Sequence, residues 1–108
     1  MNWIPLTSIA QLDEIAQAAS AQIIFKHSTR CPVSSMAKRT VEYNWDELPE
    51  NKNIYLLDLI QYREISNAIA ERWQVAHQSP QVLVLQAENC IYHASHEAIN
   101  VEDIAKYL

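Results

Sequence analysis

Gln22-Ile23-Ile24-Phe25-Lys26-His27-Ser28-Thr29-Arg30-Cys31-Pro32-Val33 is the stretch on which the fold turns. Gln22 to Lys26 is short, apolar and β-branched, the signature of a buried strand. His27 to Arg30 is polar and reads as a loop. Cys31-Pro32 then opens a helix, because proline is pre-organised for the first helical position and lacks only an N–H that would be orphaned there anyway. Val33, Met36, Ala37 and Val41 supply that helix with an apolar stripe.

Upstream, Thr7-Ser8-Ile9-Ala10-Gln11 opens an earlier helix, with Ser8 as its cap and Gln11 three residues on. Ile9, Leu12, Ile15, Ala16 and Ala19 form its face. Trp3-Ile4-Pro5-Leu6 suits a short edge strand, where Pro5 is tolerated. Downstream, Tyr43 to Asn53 is a polar connection containing Pro49. Ile54 to Asp58 is a second buried strand, and roughly Tyr62 to Trp73 a helix. Ser79-Pro80 introduces a strand over Gln81 to Gln86. Ala87-Glu88-Asn89 reads as a hairpin turn in which Asn89 takes the left-handed angles. Cys90 to Ala94 is the return strand, and Asn100 caps a last helix carrying Val101, Ile104, Ala105 and Leu108. Alternating strands and helices imply parallel pairing with crossover helices. The fold expected is α/β: a thioredoxin-like three-layer α/β/α sandwich, its mixed central sheet closed by an antiparallel hairpin.

Composition sets the outer limits. The chain has 108 residues, a net charge of −5 and no glycine. That length fits one domain over 1–108. Without glycine there is no Walker loop, dinucleotide fingerprint or EF-hand. The acidic balance argues against bulk nucleic-acid binding. No apolar run approaches a membrane span, and Met1 to Pro5 does not read as a signal peptide, so a cytoplasmic protein is expected. The two cysteines, with no Cys-x-x-Cys, form neither a disulfide framework nor a zinc site.

Chemistry is expected at Cys31. Unpaired N–H groups and the dipole at a helix N-terminus favour an anion, and such positions lower thiol pKa values. Lys26, Arg30, Lys38 and Arg39 are four of the eight Lys and Arg residues, and no Asp or Glu lies between Lys26 and Arg39. Two readings of Cys31 stand: a reactive thiolate supported by Arg30, Pro32 and Ser34, or an inert buried cysteine at an ordinary helix start with a solvated basic face. Ser34 occupies the place where a dithiol enzyme has its second cysteine, and Ser35 follows it. Cys90 starts the return strand at the far end of the sheet, on the order of 20 Å from Cys31, and a disulfide needs Cα atoms within about 7 Å. Ser79-Pro80 is a candidate cis peptide. The topology gathers His77, Ser79 and His96 around Cys31, with Ser95 beside His96. His27 is either a strand-end packing residue or an electrostatic neighbour.

Phe25 to Ser34 resembles the active-site segment of the monothiol bacilliredoxins, the YtxJ-like family. Tyr55 to Ile60, Arg63 to Ala70, His77 to Val82 and Tyr92 to His96 resemble other segments of that family, so the likeness runs from about Ile4 onward. The resemblance implies a monothiol oxidoreductase that removes bacillithiol, a low-molecular-weight thiol, from protein mixed disulfides. It implies Cys31 as nucleophile and Pro80 as the cis-proline, with Ser79 offering backbone bonds to substrate and no bound cofactor. Bacillithiol would be co-substrate, S-bacillithiolated client proteins the partners, and a second bacillithiol or a partner reductase the source of electrons. Thioredoxins usually bury an Asp six residues before the nucleophile, where this chain has Phe25. The competing readings are a redox-inert adaptor or stress-response interaction module, and a monothiol glutaredoxin-like iron–sulfur carrier.

Overall fold

The structure, a computed structural model, describes residues 2–108. Its strands are β1 (Trp3–Pro5), β2 (Gln22–His27), β3 (Ile54–Asp58), β4 (Gln81–Gln86) and β5 (Asn89–Ser95). Its helices are α1 (Ala10–Gln17), α2 (Pro32–Tyr43), α3 (Arg63–Trp73) and α4 (Val101–Ala105). The strands form one sheet in the order β1-β3-β2-β4-β5. The pairs β1–β3 and β2–β3 are parallel, as alternation predicts. β4 departs from simple alternation and pairs antiparallel with β2, matching Lys26 to Gln81, the direction that the far-end placement of Cys90 already assumed. Its start beside the end of β2 requires this direction, and β5 then returns antiparallel to it.

Strand side chains alternate between faces. Ile23 and Phe25 therefore join Val41, Val82, Val101 and Ile104 in one core cluster. Ile24 joins Leu12, Ile15, Ile65, Ile69 and Leu83 in the other. Burial on both faces explains why β2 and β4 read as continuous apolar runs rather than alternating ones.

The sequence expectations need four local corrections. First, α1 starts at Ala10, and Ile9 is exposed. Ser8 does not cap it; instead the Gln11 carboxamide accepts from the Thr7 and Ser8 N–H groups at 2.8 and 3.1 Å. Second, the hairpin places Ala87, not Asn89, at positive φ (55°), and Asn89 already belongs to β5. Third, Val33 and Met36 are exposed, whereas Ser34 is fully buried. Fourth, His27 lies in β2 and is buried. Asn100 does cap α4, its side chain accepting from the Asp103 N–H at 2.8 Å.

Lys26 falls on the Ile24 face and is fully buried. Its Nζ lies 3.5 Å from the Ser66 carbonyl and 3.4 Å from His77 Nδ1, with no carboxylate bonded to it. Burial pushes this ammonium from its ordinary 10.5 down to about 8. Because the folded pKa lies below the unfolded one, the stability penalty is fully present below about pH 8 and fades as pH rises towards 10.5. Lys26→Met should therefore stabilise the protein at neutral pH by about 1–3 kcal/mol. Urea midpoints of both proteins should converge near pH 10.5; a variant no more stable at neutral pH contradicts this.

Candidate active site

Cys31 is the N-cap residue of α2 and is half-buried, with Pro32 in the first turn. Its N–H donates to the Ser28 carbonyl at 3.2 Å, and its carbonyl accepts from the Ser35 N–H at 3.0 Å. These bonds fix the loop entering the helix. The thiol makes no capping hydrogen bond, and no acidic residue sits in the first turn of α2. The dipole therefore acts on an end of the helix that carries no competing carboxylate.

Beneath this turn Ser34 Oγ lies 2.6 Å from His27 Nδ1 and accepts from the Ser28 N–H at 3.0 Å. Burial holds the His27 imidazole below its ordinary pKa; Lys38 adds to this, while Asp58 and Glu42 oppose it. Of the four cations near Cys31 in sequence, Lys38 pairs with Glu42 at 2.8 Å and Lys26 is buried. Arg30 and Arg39 are exposed and make no ion pair among the described residues.

A groove of about 360 Å³ runs along α2 from Pro32, lined by Val33, Met36, Thr40, His96 and Ile99. Its apolar side chains explain the exposed side of α2: Met36, 63% exposed, faces this groove rather than the core. The Ser79-Pro80 peptide is cis. The His96 N–H donates to the Pro80 carbonyl at 3.1 Å, and Ser95 pairs with Gln81 in the sheet. Pro80, Ser95 and His96 thus meet at one end of the sheet, and Ser79 Oγ is buried with no hydrogen-bond partner.

Two sequence expectations fare differently. His77 does not join the groove with His96; its Nδ1 lies within 3.4 Å of Lys26 Nζ and 3.2 Å of Ser66 Oγ, on the α3 side of the sheet. Its place three residues before Pro80 brought it to the right end of the sheet but not to the right face. Cys90 pairs with Leu85, which pairs with Gln22 at the start of β2, whereas Cys31 follows the end of β2. Burial pushes the Cys90 thiol upwards, and its Sγ lies 3.3 Å from the Tyr92 carbonyl. Among the described residues no group of three or more His, Cys, Asp or Glu side chains is placed to hold a metal ion. Sequence reading missed Thr40 and Glu97 of the groove and the burial of Lys26; alternation along β2 carries the signal for Lys26.

A family model described as monothiol bacilliredoxin BrxC matches residues 4–104. The chain belongs to the monothiol bacilliredoxin family. Among solved structures, this bacilliredoxin-family chain is similar to a candidate oxidoreductase with a thioredoxin fold, 29% identical, with a TM-score of 0.82 over 96% of this chain and 91% of the other. It is also similar to a thioredoxin from Malassezia sympodialis, 15% identical, TM-score 0.76, covering 98% and 88% of the two chains. A thioredoxin from Trypanosoma brucei brucei matches at 16% identity and a TM-score of 0.72, covering 88% and 79%. The fold is thioredoxin-like, and bacilliredoxin membership supports a thiol redox function. No helix among the described residues is long and apolar enough to cross a membrane.

Proposed function

We propose that this protein is a thiol–disulfide oxidoreductase that removes bacillithiol from protein mixed disulfides, with Cys31 as its single working thiol. One observation carries the reading: Cys31 stands at the mouth of α2 with Ser34 in the place of a resolving cysteine, while Cys90 lies at the opposite end of the sheet. Five residue steps along β2 separate the two ends by about 17 Å.

The Cys31 thiolate attacks the bacillithiol sulfur of a client mixed disulfide. A Cys31–bacillithiol disulfide forms, the client S–S bond breaks, and the client cysteine leaves as a thiolate that takes up a proton. A second bacillithiol thiolate then attacks the bacillithiol sulfur on Cys31, frees Cys31 and departs as bacillithiol disulfide. The client cysteine is reduced and one bacillithiol thiol is oxidised, joining the bacillithiol taken from the client as a disulfide, so the electrons balance; a partner reductase is the alternative source. In this reading Arg30, Pro32 and Ser34 support the thiolate. Ser79, Pro80, Ser95 and His96 receive the substrate, and the apolar groove beside Pro32 takes client side chains.

Bacillithiol carries malate carboxylates, and Arg30 and Arg39 are the cations near Cys31 left to meet them. Arg30→Glu should slow exchange about three-fold at low salt, with the difference shrinking as salt screens the charge. An unchanged rate at low salt contradicts that role. The function is tested by offering one client protein as its bacillithiol and as its glutathione mixed disulfide. Faster release of bacillithiol supports the reading. Equal rates mean a general thiol exchanger, and no release from either points to an adaptor or an iron–sulfur carrier.

A further inference from the structure

We propose that the two flanks of α2 sort the two halves of a mixed disulfide and so decide which sulfur Cys31 attacks. The small-thiol half lies along a polar cleft, held by its carboxylate on Arg39, and the protein half lies in the apolar groove beside Pro32. This rests on the reading of Cys31 as the working thiol. A mixed disulfide offers two sulfurs, and exchange at each gives a different product. Attack on the small-thiol sulfur forms a Cys31–small-thiol disulfide and releases the client thiolate, which takes up a proton. Attack on the client sulfur forms a Cys31–client disulfide and releases the small thiolate instead. Ser34 supplies no thiol to free that second product, and Cys90 lies at the other end of the sheet. A one-thiol enzyme therefore depends on the first choice.

The geometry of α2 supplies the choice. Ser35, Lys38, Arg39 and Glu42 lie four, seven, eight and eleven residues after Cys31, the spacing of one helical face. With His27 they line a cleft of about 220 Å³. Cys31 stands at its head, where the Ser35 N–H donates to the Cys31 carbonyl at 3.0 Å. Val33, Met36 and Thr40 turn to the other side and line the groove of about 360 Å³ with His96 and Ile99. The cleft holds one carboxylate, Glu42, and it is already satisfied: Lys38 Nζ and Trp3 Nε1 each lie 2.8 Å from its Oε2. Lys38 also sits over the Trp3 ring, 5.1 Å from its centroid. Arg39, exposed and in no ion pair among the described residues, is left as the free cation of the cleft. The helix rises about 12 Å between Cys31 and Arg39, and a tripeptide-sized thiol spans about 10 Å when extended. Its sulfur reaches Cys31 while the long Arg39 side chain meets its carboxylate. Attacking, attacked and leaving sulfurs line up nearly in a row. A small thiol held along the cleft thus presents its own sulfur to Cys31 and leaves the client sulfur on the outer side.

The test is single-turnover exchange between the reduced protein and one client carrying bacillithiol, glutathione or cysteamine on the same cysteine. Reactions are quenched in acid and read as intact masses. Bacillithiol and glutathione carry carboxylates; cysteamine carries none. The readout is the ratio of Cys31–client disulfide to Cys31–small-thiol disulfide. Arg39→Glu should raise this ratio about five-fold for the two carboxylate thiols at low salt, whereas Arg39→Lys should raise it by less than about two-fold. For cysteamine, Arg39→Glu should not raise it. A rise with only one of the carboxylate thiols supports the proposal and identifies the small thiol that the cleft fits. An unchanged ratio for both, or an equal rise with cysteamine, overturns it. If wild type exchanges with none of the three adducts, the functional reading fails, and this proposal falls with it.

Discussion

Cys31→Ser should lower the rate of bacillithiol release from a client by at least about 10³-fold, because a serine hydroxyl does not ionise near neutral pH and cannot hold a disulfide. The fold should survive. Cys31 is half-buried and its two backbone bonds, to Ser28 and from Ser35, do not involve the side chain. Stability should change by less than about 1 kcal/mol. Cys90→Ser is the paired control: it should leave exchange within about two-fold, since a thiol raised by burial at the far end of the sheet takes no part. Equal loss in both variants, measured by release of free bacillithiol from a labelled client, contradicts the one-thiol cycle.

Phe25→Ala should cost about 3–5 kcal/mol, against a total stability of about 5–15 kcal/mol for a domain of this kind. Phe25 is fully buried at the centre of β2, packed with Val41, Val82 and Ile104. Trp3 meets its ring edge-on with centroids 5.6 Å apart, which ties the edge strand to the central one. Removing the ring leaves a cavity that the sheet and α2 cannot collapse to fill, since β2 is held by neighbours on both sides. The urea midpoint followed by tryptophan fluorescence should fall accordingly. A loss below about 1 kcal/mol would mean that this side of the core repacks freely.

Strands and helix starts were legible where a local rule has no competitor. Pro32 at the first turn of α2, Asn100 at the cap of α4 and the β-branched run of β2 each announce themselves. Other features depend on tertiary placement. Val33 and Met36 keep helical spacing, yet they face a groove because Ser34, not Val33, turns beneath the loop to meet His27. Ala87 takes the left-handed position at the hairpin because the turn is only Ala87 and Glu88, with Asn89 already paired to Gln86 in the sheet. The direction of β4 follows from where its chain enters the sheet, not from strand–helix alternation. His27 and His77 carry the same chemistry in sequence. Only the sheet assigns His27 to the face beneath Ser34 and His77 to the face of Lys26.

The most direct test of the account is transfer of the adduct itself. Reduced wild-type protein is mixed with a bacillithiol-modified client, and the intact masses of both chains are followed, with Cys31→Ser beside them. The account predicts that the client loses one bacillithiol while wild type gains one, on the peptide containing Cys31, and that the variant gains none. An adduct that stays on the client, or that appears on Cys90 instead, contradicts it.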